Sequence, residues 1–104
     1  MGIVFRSARV ADAENLLGLV EELGYPSSLE RLRARLARLT TLSEHALFVA
    51  EEAGALLGWI HVQEFHSLAA DPTALVTGLV VDPGARRRGL GGQLLAQAED
   101  WARA

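Results

Sequence analysis

Apolar positions along this chain recur at two different spacings, and the switches between them mark out its elements. Ile3 to Val10 reads IVFRSARV, rich in β-branched and aromatic residues, and predicts a first strand. Leu16, Leu19, Val20 and Leu23 then fall at helical spacing, with Asp12 placed to cap that helix and Gly24 placed to end it. Tyr25-Pro26 breaks the chain. Ser27 and Glu30 have the spacing of a capping box, and Leu29, Leu32, Leu36 and Leu39 follow as one apolar stripe. The opposite face of this second helix carries Arg31, Arg33, Arg35 and Arg38.

Alternation returns further on. Ala46–Ala50 and Leu56–Phe65 predict two strands, joined as an antiparallel hairpin by a turn over Glu51–Gly54. Leu75–Val81 predicts a fourth strand after the break at Asp71-Pro72. A last helix is predicted from about Leu90, with Leu94, Leu95, Ala98 and Trp101 inward and Gln93, Gln97 and Asp100 in water. The order β-α-α-β-β-β-α is free of repeats and linkers. It implies an α/β (α+β) fold in which helices flank a mixed, mostly antiparallel sheet.

Composition narrows the functions open to such a fold. A chain of 104 residues with half of them apolar and 22% charged has the length and balance of one globular domain, residues 1–104. It has no cysteine, which excludes disulfide and thiolate chemistry. His45, His61 and His66 are isolated in sequence, so no metal site is expected. The net charge of −3 gives no general reason to bind nucleic acid. The arginine row of the second helix lacks the interleaved aromatics that stack bases, and reads as a solvated face. No run is apolar and long enough to span a membrane, so no membrane partner is expected and a cytoplasmic location is.

The chemistry concentrates in GLVVDPGARRRGLGGQLLAQAEDWARA, from Gly78 to Ala104. A strand meets a proline, then Arg86, Arg87 and Arg88, then Gly89, Gly91 and Gly92, then a helix. The first N–H groups of a helix have no internal partners and carry the positive end of its dipole. Glycines let that backbone approach a ligand closely, and arginines pair with phosphate oxygens. A diphosphate fits such a turn. It is not a Walker A loop, because Leu90-Gly91 stands where Lys-Ser/Thr is required, and a dinucleotide fingerprint fails at Leu94.

Arg86-x-x-Gly89-x-Gly91, entered from LVVDP and followed by a helix, closely resembles the acetyl-CoA motif of the GNAT superfamily of N-acetyltransferases. RSARVADAENLLGLVEELGYP resembles that family's opening strand and helix, and LFVAEEAGALLGWIHV its central hairpin. The resemblance covers essentially the whole chain. It implies that Leu79, Val80 and Val81 offer backbone to the pantetheine arm, and that Arg86, Arg87, Arg88, Gly89, Gly91 and Gly92 take the pyrophosphate. It implies direct attack of an amine on the acetyl-CoA thioester, aided by a general base. Relatives often carry a glutamate just before the LVV segment. Leu75-Val76-Thr77-Gly78 stands there instead, which leaves Glu64 and His66 as the candidate base. His61 reads as a partly buried core residue, and Trp59 as core or a wall of the acceptor pocket.

Family domains usually continue past this helix with a further strand, a helix bearing a tyrosine acid, and two closing strands. The only tyrosine here is Tyr25. A C-terminally shortened domain is therefore expected, with a bare fourth strand that invites a homodimer. The function classes that follow are an acetyl-CoA-dependent N-acetyltransferase and a non-catalytic CoA-binding or assembly module.

Overall fold

A computed structural model describes residues 2–24 and 27–104. The predicted break at Tyr25-Pro26 lies outside the described residues. In chain order the elements are β1 (Val4–Ser7), a 3-10 turn (Val10–Asp12), α1 (Ala13–Glu21), α2 (Leu29–Leu39), β2 (His45–Glu52), β3 (Ala55–Phe65), β4 (Thr73–Val81), a second 3-10 turn (Pro83–Ala85) and α3 (Leu90–Arg103). The four strands form one sheet in the order β1-β2-β3-β4, every pairing antiparallel. This is the α+β order expected of the sequence, with the sheet antiparallel throughout the described residues.

Side-chain alternation along the strands sends apolar residues to both faces, and helices cover both. Val49, Trp59 and Val80 pack on one side with Leu16 and Leu19 of α1 and Leu32 and Leu36 of α2. Ala50, Ile60 and Val62 pack on the other with Leu90, Leu94 and Ala98 of α3. Tight turns join β2 to β3 through Ala53 and Gly54, both at positive φ (50° and 84°), the backbone that matches the twist of a two-residue hairpin.

Several local expectations shift. The first strand is Val4–Ser7, because Val10 enters the 3-10 turn. Asp12 does not cap α1 with its side chain. Its carboxylate instead accepts from Arg6 (2.9 and 2.8 Å) and from the Arg9 N–H (2.7 Å). Ser28, not Ser27, caps α2, accepting from the Arg31 N–H at 3.1 Å. Leu23 lies past the end of α1 and is 41% exposed. On α3, Leu90 takes the buried place expected of Leu95, which faces out, and Gln97 is half-buried.

Candidate functional site

The site is built where β4 ends and α3 begins. Asp82 fixes the exit: its N–H donates to the Leu57 carbonyl at 2.8 Å, and its Oδ1 accepts from the Gly84 N–H at 3.0 Å. Arg87 and Gly89 then take left-handed backbone (φ 73° and 75°), which turns the chain into α3. Gly89 is the N-cap, and the first intrahelical bond is Gln93 N–H to Gly89 O at 3.1 Å. The N–H groups of Leu90, Gly91 and Gly92 precede it and have no partner within the helix. A Cβ at Gly91 or Gly92 would meet nothing within 4 Å. Packing within the protein therefore does not explain these two glycines, whereas close approach of a ligand does.

The three arginines part company. Arg88 forks onto Glu52 at the end of β2, with contacts of 3.2 and 3.0 Å. That hydrogen-bonded pairing holds the Glu52 carboxyl below its ordinary pKa. Arg86 folds back so that Nε donates to the Val81 carbonyl at 3.3 Å. Arg87 makes no salt bridge among the described residues and stays exposed. With Val81, Ala85, Arg86, Gly89, Leu90 and Gly91 it lines a cavity of about 350 Å³. The sequence-predicted loop residues thus come together, with Arg87 as the cation left free to meet an anion.

β4 leads away from this loop as the outer strand of the sheet among the described residues. One row of its N–H and C=O groups faces away from β3. Leu79, Val80 and Val81 pair in register with Ile60, Trp59 and Gly58. Their side chains are buried or half-buried, and on the outer edge the Val81 carbonyl is the group that accepts from Arg86 Nε. The register slips between His61 and Val62, which face Gly78 and Val76 and leave Thr77 as an extra residue. Such a bulge re-aims the strand beside it. Gly78 is required there because a Cβ would lie 2.5 Å from the Trp59 ring.

Glu64 and His66 sit at the far end of β3, 3.6 Å apart and both exposed. Glu64 pairs with Ala74. The seven residue steps from Ala74 to Val81 put it roughly 20 Å along the sheet from the glycine-arginine loop. It lines a cavity of about 330 Å³ with Ser43, Ala74 and Trp101. Sequence spacing had no means of pairing His45 with His61, yet β2 and β3 bring His45 Nδ1 and His61 Nε2 to 2.9 Å. Burial, and secondly His45, push the His61 pKa down. Among the described residues no three potential metal ligands cluster.

Residues 12–104 match the acetyltransferase (GNAT) family. Among curated proteins, no sequence matches. Solved structures resemble the fold over nearly the whole chain. A GNAT family acetyltransferase of Staphylococcus aureus is 23% identical, with a TM-score of 0.86 over 99% of this chain and 79% of that one. The structure of AAC(6')-Iy with the bisubstrate analogue CoA-S-monomethyl-acetylneamine is 21% identical, with a TM-score of 0.84 over 99% of this chain and 73% of that one. Glucosamine-6-phosphate N-acetyltransferase of Arabidopsis thaliana is 18% identical, with a TM-score of 0.88 over 99% of this chain and 76% of that one.

Proposed function

This chain belongs to the acetyltransferase (GNAT) family, and on that premise we propose that it moves the acetyl group of acetyl-CoA to a primary amine of a small molecule or peptide. The observation that carries the reading is the turn into α3. Gly89 at φ 75°, the open space around Gly91 and Gly92, and the unpaired Arg87 form a cradle for a diphosphate. The pantetheine arm then runs as an added strand along the outer edge of Leu79–Val81. Two structural relatives support the acceptor class, one bound to a CoA–acetylneamine analogue and one acting on an amino sugar phosphate.

In this reaction the neutral amine attacks the thioester carbonyl. A C–N bond forms, the C–S bond breaks, the nitrogen loses a proton and the leaving thiolate gains one. Glu64 and His66 are the proposed base, through water where they do not touch the amine. In the proposed reaction a backbone N–H of the outer β4 edge polarises the thioester oxygen. Tyr25, the only tyrosine, lies outside the described residues.

A thiol-release assay with acetyl-CoA and a panel of primary amines tests the proposal. Amine-dependent release of CoA is the expected result. Acetyl-CoA binding without amine-dependent release would leave a CoA-binding module in place of the enzyme.

A further inference from the structure

The register of β2 on β3 brings together two histidines that the acetyltransferase reading does not use. His45 lies opposite Gln63 and His61 opposite Leu47, so both rings project from one face of the sheet on a cross-strand diagonal. Their centroids are 5.2 Å apart, their planes are inclined by 33°, and His45 Nδ1 lies 2.9 Å from His61 Nε2. The rings therefore meet through these nitrogens and not as a stack. Between two neutral rings, one N–H donates to the lone pair of the other. Moving that proton to the other nitrogen of its own ring is only a change of tautomer, and it leaves two lone pairs side by side.

Adjacent imidazole lone pairs are a donor set for a divalent metal cation, and their spacing selects its geometry. With metal–nitrogen bonds of about 2.0–2.1 Å, ligands at a right angle stand about 2.9 Å apart, whereas a tetrahedral pair stands about 3.3–3.4 Å apart. The strands hold His45 and His61 at the right-angle spacing, which belongs to the tetragonal nitrogen and oxygen sites of copper(II) and nickel(II). Gln63, half-buried and directly opposite His45, adds an amide oxygen on the same face. His45 also lines an open cleft of about 310 Å³ with Ser43 and Glu44, which gives an entry path with a carboxylate along it. Arg35 lines a cavity with His61 and opposes a cation there, so the ion enters from the His45 side.

We propose that His45 Nδ1 and His61 Nε2 form a two-nitrogen site for a divalent metal cation, copper(II) ahead of nickel(II) and zinc(II), that clamps β2 to β3. The ion sits beside the line joining the two nitrogens, and each ring turns about its side-chain bonds to aim at it. Gln63 Oε1 and water oxygens complete the tetragonal set. Both rings bind as neutral imidazoles, so the neutral pair takes up the ion by moving one proton within a ring and releases none.

Copper(II) chloride titrated into the unaltered chain, without acetyl-CoA and in a buffer that does not coordinate copper, tests the site. One equivalent should bind, with an axial electron paramagnetic resonance spectrum that shows coupling to two nitrogens. Calorimetry should rank copper(II) above nickel(II) and zinc(II). His45→Ala and His61→Gln should each weaken copper(II) by at least about tenfold, no less than the loss of a group that merely supports a metal ligand. Unchanged copper affinity in either folded variant, a spectrum with fewer than two coupled nitrogens, or zinc bound more tightly than copper overturns the proposal. Should one variant fail to fold, the other and the spectrum of the unaltered chain still decide. Because acetyl-CoA is absent, the outcome is independent of the transferase reading.

Discussion

Arg88 grips Glu52 with both terminal nitrogens, at 3.2 and 3.0 Å from the two carboxylate oxygens. The pair ties the glycine-arginine turn to the hairpin end of β2, thirty-six residues away in sequence. It therefore restrains the loop instead of offering the Arg88 charge to the ligand. Glu52→Gln should loosen the loop and weaken acetyl-CoA binding by less than about tenfold, because partly exposed pairs contribute little. The loss should shrink as salt is raised. Calorimetry at two ionic strengths checks both statements.

Gly91 separates stability from function. It sits in the first turn of α3 with nothing within 4 Å of a Cβ. Gly91→Ala should raise unfolding stability by up to about 1 kcal/mol, since alanine is the better helix former. It should nonetheless weaken acetyl-CoA, whose diphosphate needs the space. A thermal melt and a titration on the same sample report the opposite signs.

Asp12 gives an acid dependence. The Arg6 guanidinium, and after it the Arg9 N–H, hold its buried carboxyl below the ordinary value of 3.8. A carboxyl depressed in the folded state contributes stability that is fully present above its unfolded pKa and is lost as pH falls through the folded one. Stability should thus decline with acid below about pH 4, the unfolded range. Asp12→Asn should cost about 2 kcal/mol at pH 7, the loss of a charged hydrogen-bond partner, because Arg6 keeps its contact with Glu51 at 3.2 Å. Urea unfolding of both proteins at pH 7 and pH 3 should show the difference shrinking with acid.

His61 gives a dependence nearer neutrality. Burial, then the neighbouring His45, lower its pKa from 6.5, and Arg35 lines the same cavity from α2. A histidine depressed in the folded state leaves stability intact above its unfolded pKa and removes it as pH drops from there through the folded pKa. His61→Gln should flatten the stability profile below about pH 6.5. NMR titration of the ring should find a midpoint below the ordinary histidine value of 6.5. A midpoint at or above 6.5 would contradict the burial argument.

Most elements were readable because their signals are local. The Leu32/Leu36 stripe, the Arg86–Gly92 turn and the hairpin turn each follow from spacing and turn chemistry within a few residues, although the turn expected over Glu51–Gly54 narrows to Ala53-Gly54 because Glu51 and Glu52 pair in β2. What escaped depends on contacts between distant strands. His45 meets His61 only through the β2–β3 register, and Thr77 becomes a bulge only against His61. Asp12 looked like a helix cap because its attraction to Arg6 is set by how β1 enters the 3-10 turn. Leu95 was expected inward and faces out, while Leu90 is buried, because the side of the helix that meets Ile60 and Val62 is fixed by the sheet, not by the leucine count.

In the proposed function the turn from β4 into α3 holds the diphosphate of acetyl-CoA on backbone N–H groups, with Arg87 as the free cation. Calorimetric titration of acetyl-CoA into the unaltered chain, Gly89→Val and Arg87→Ala tests it most directly. Gly89 lies at φ 75°, which a β-branched residue does not adopt without strain. Binding by the unaltered chain, partial loss in Arg87→Ala and a greater loss in Gly89→Val are expected, with far-UV spectra showing that each variant is folded. Equal affinity in the unaltered chain and in folded Gly89→Val would contradict it.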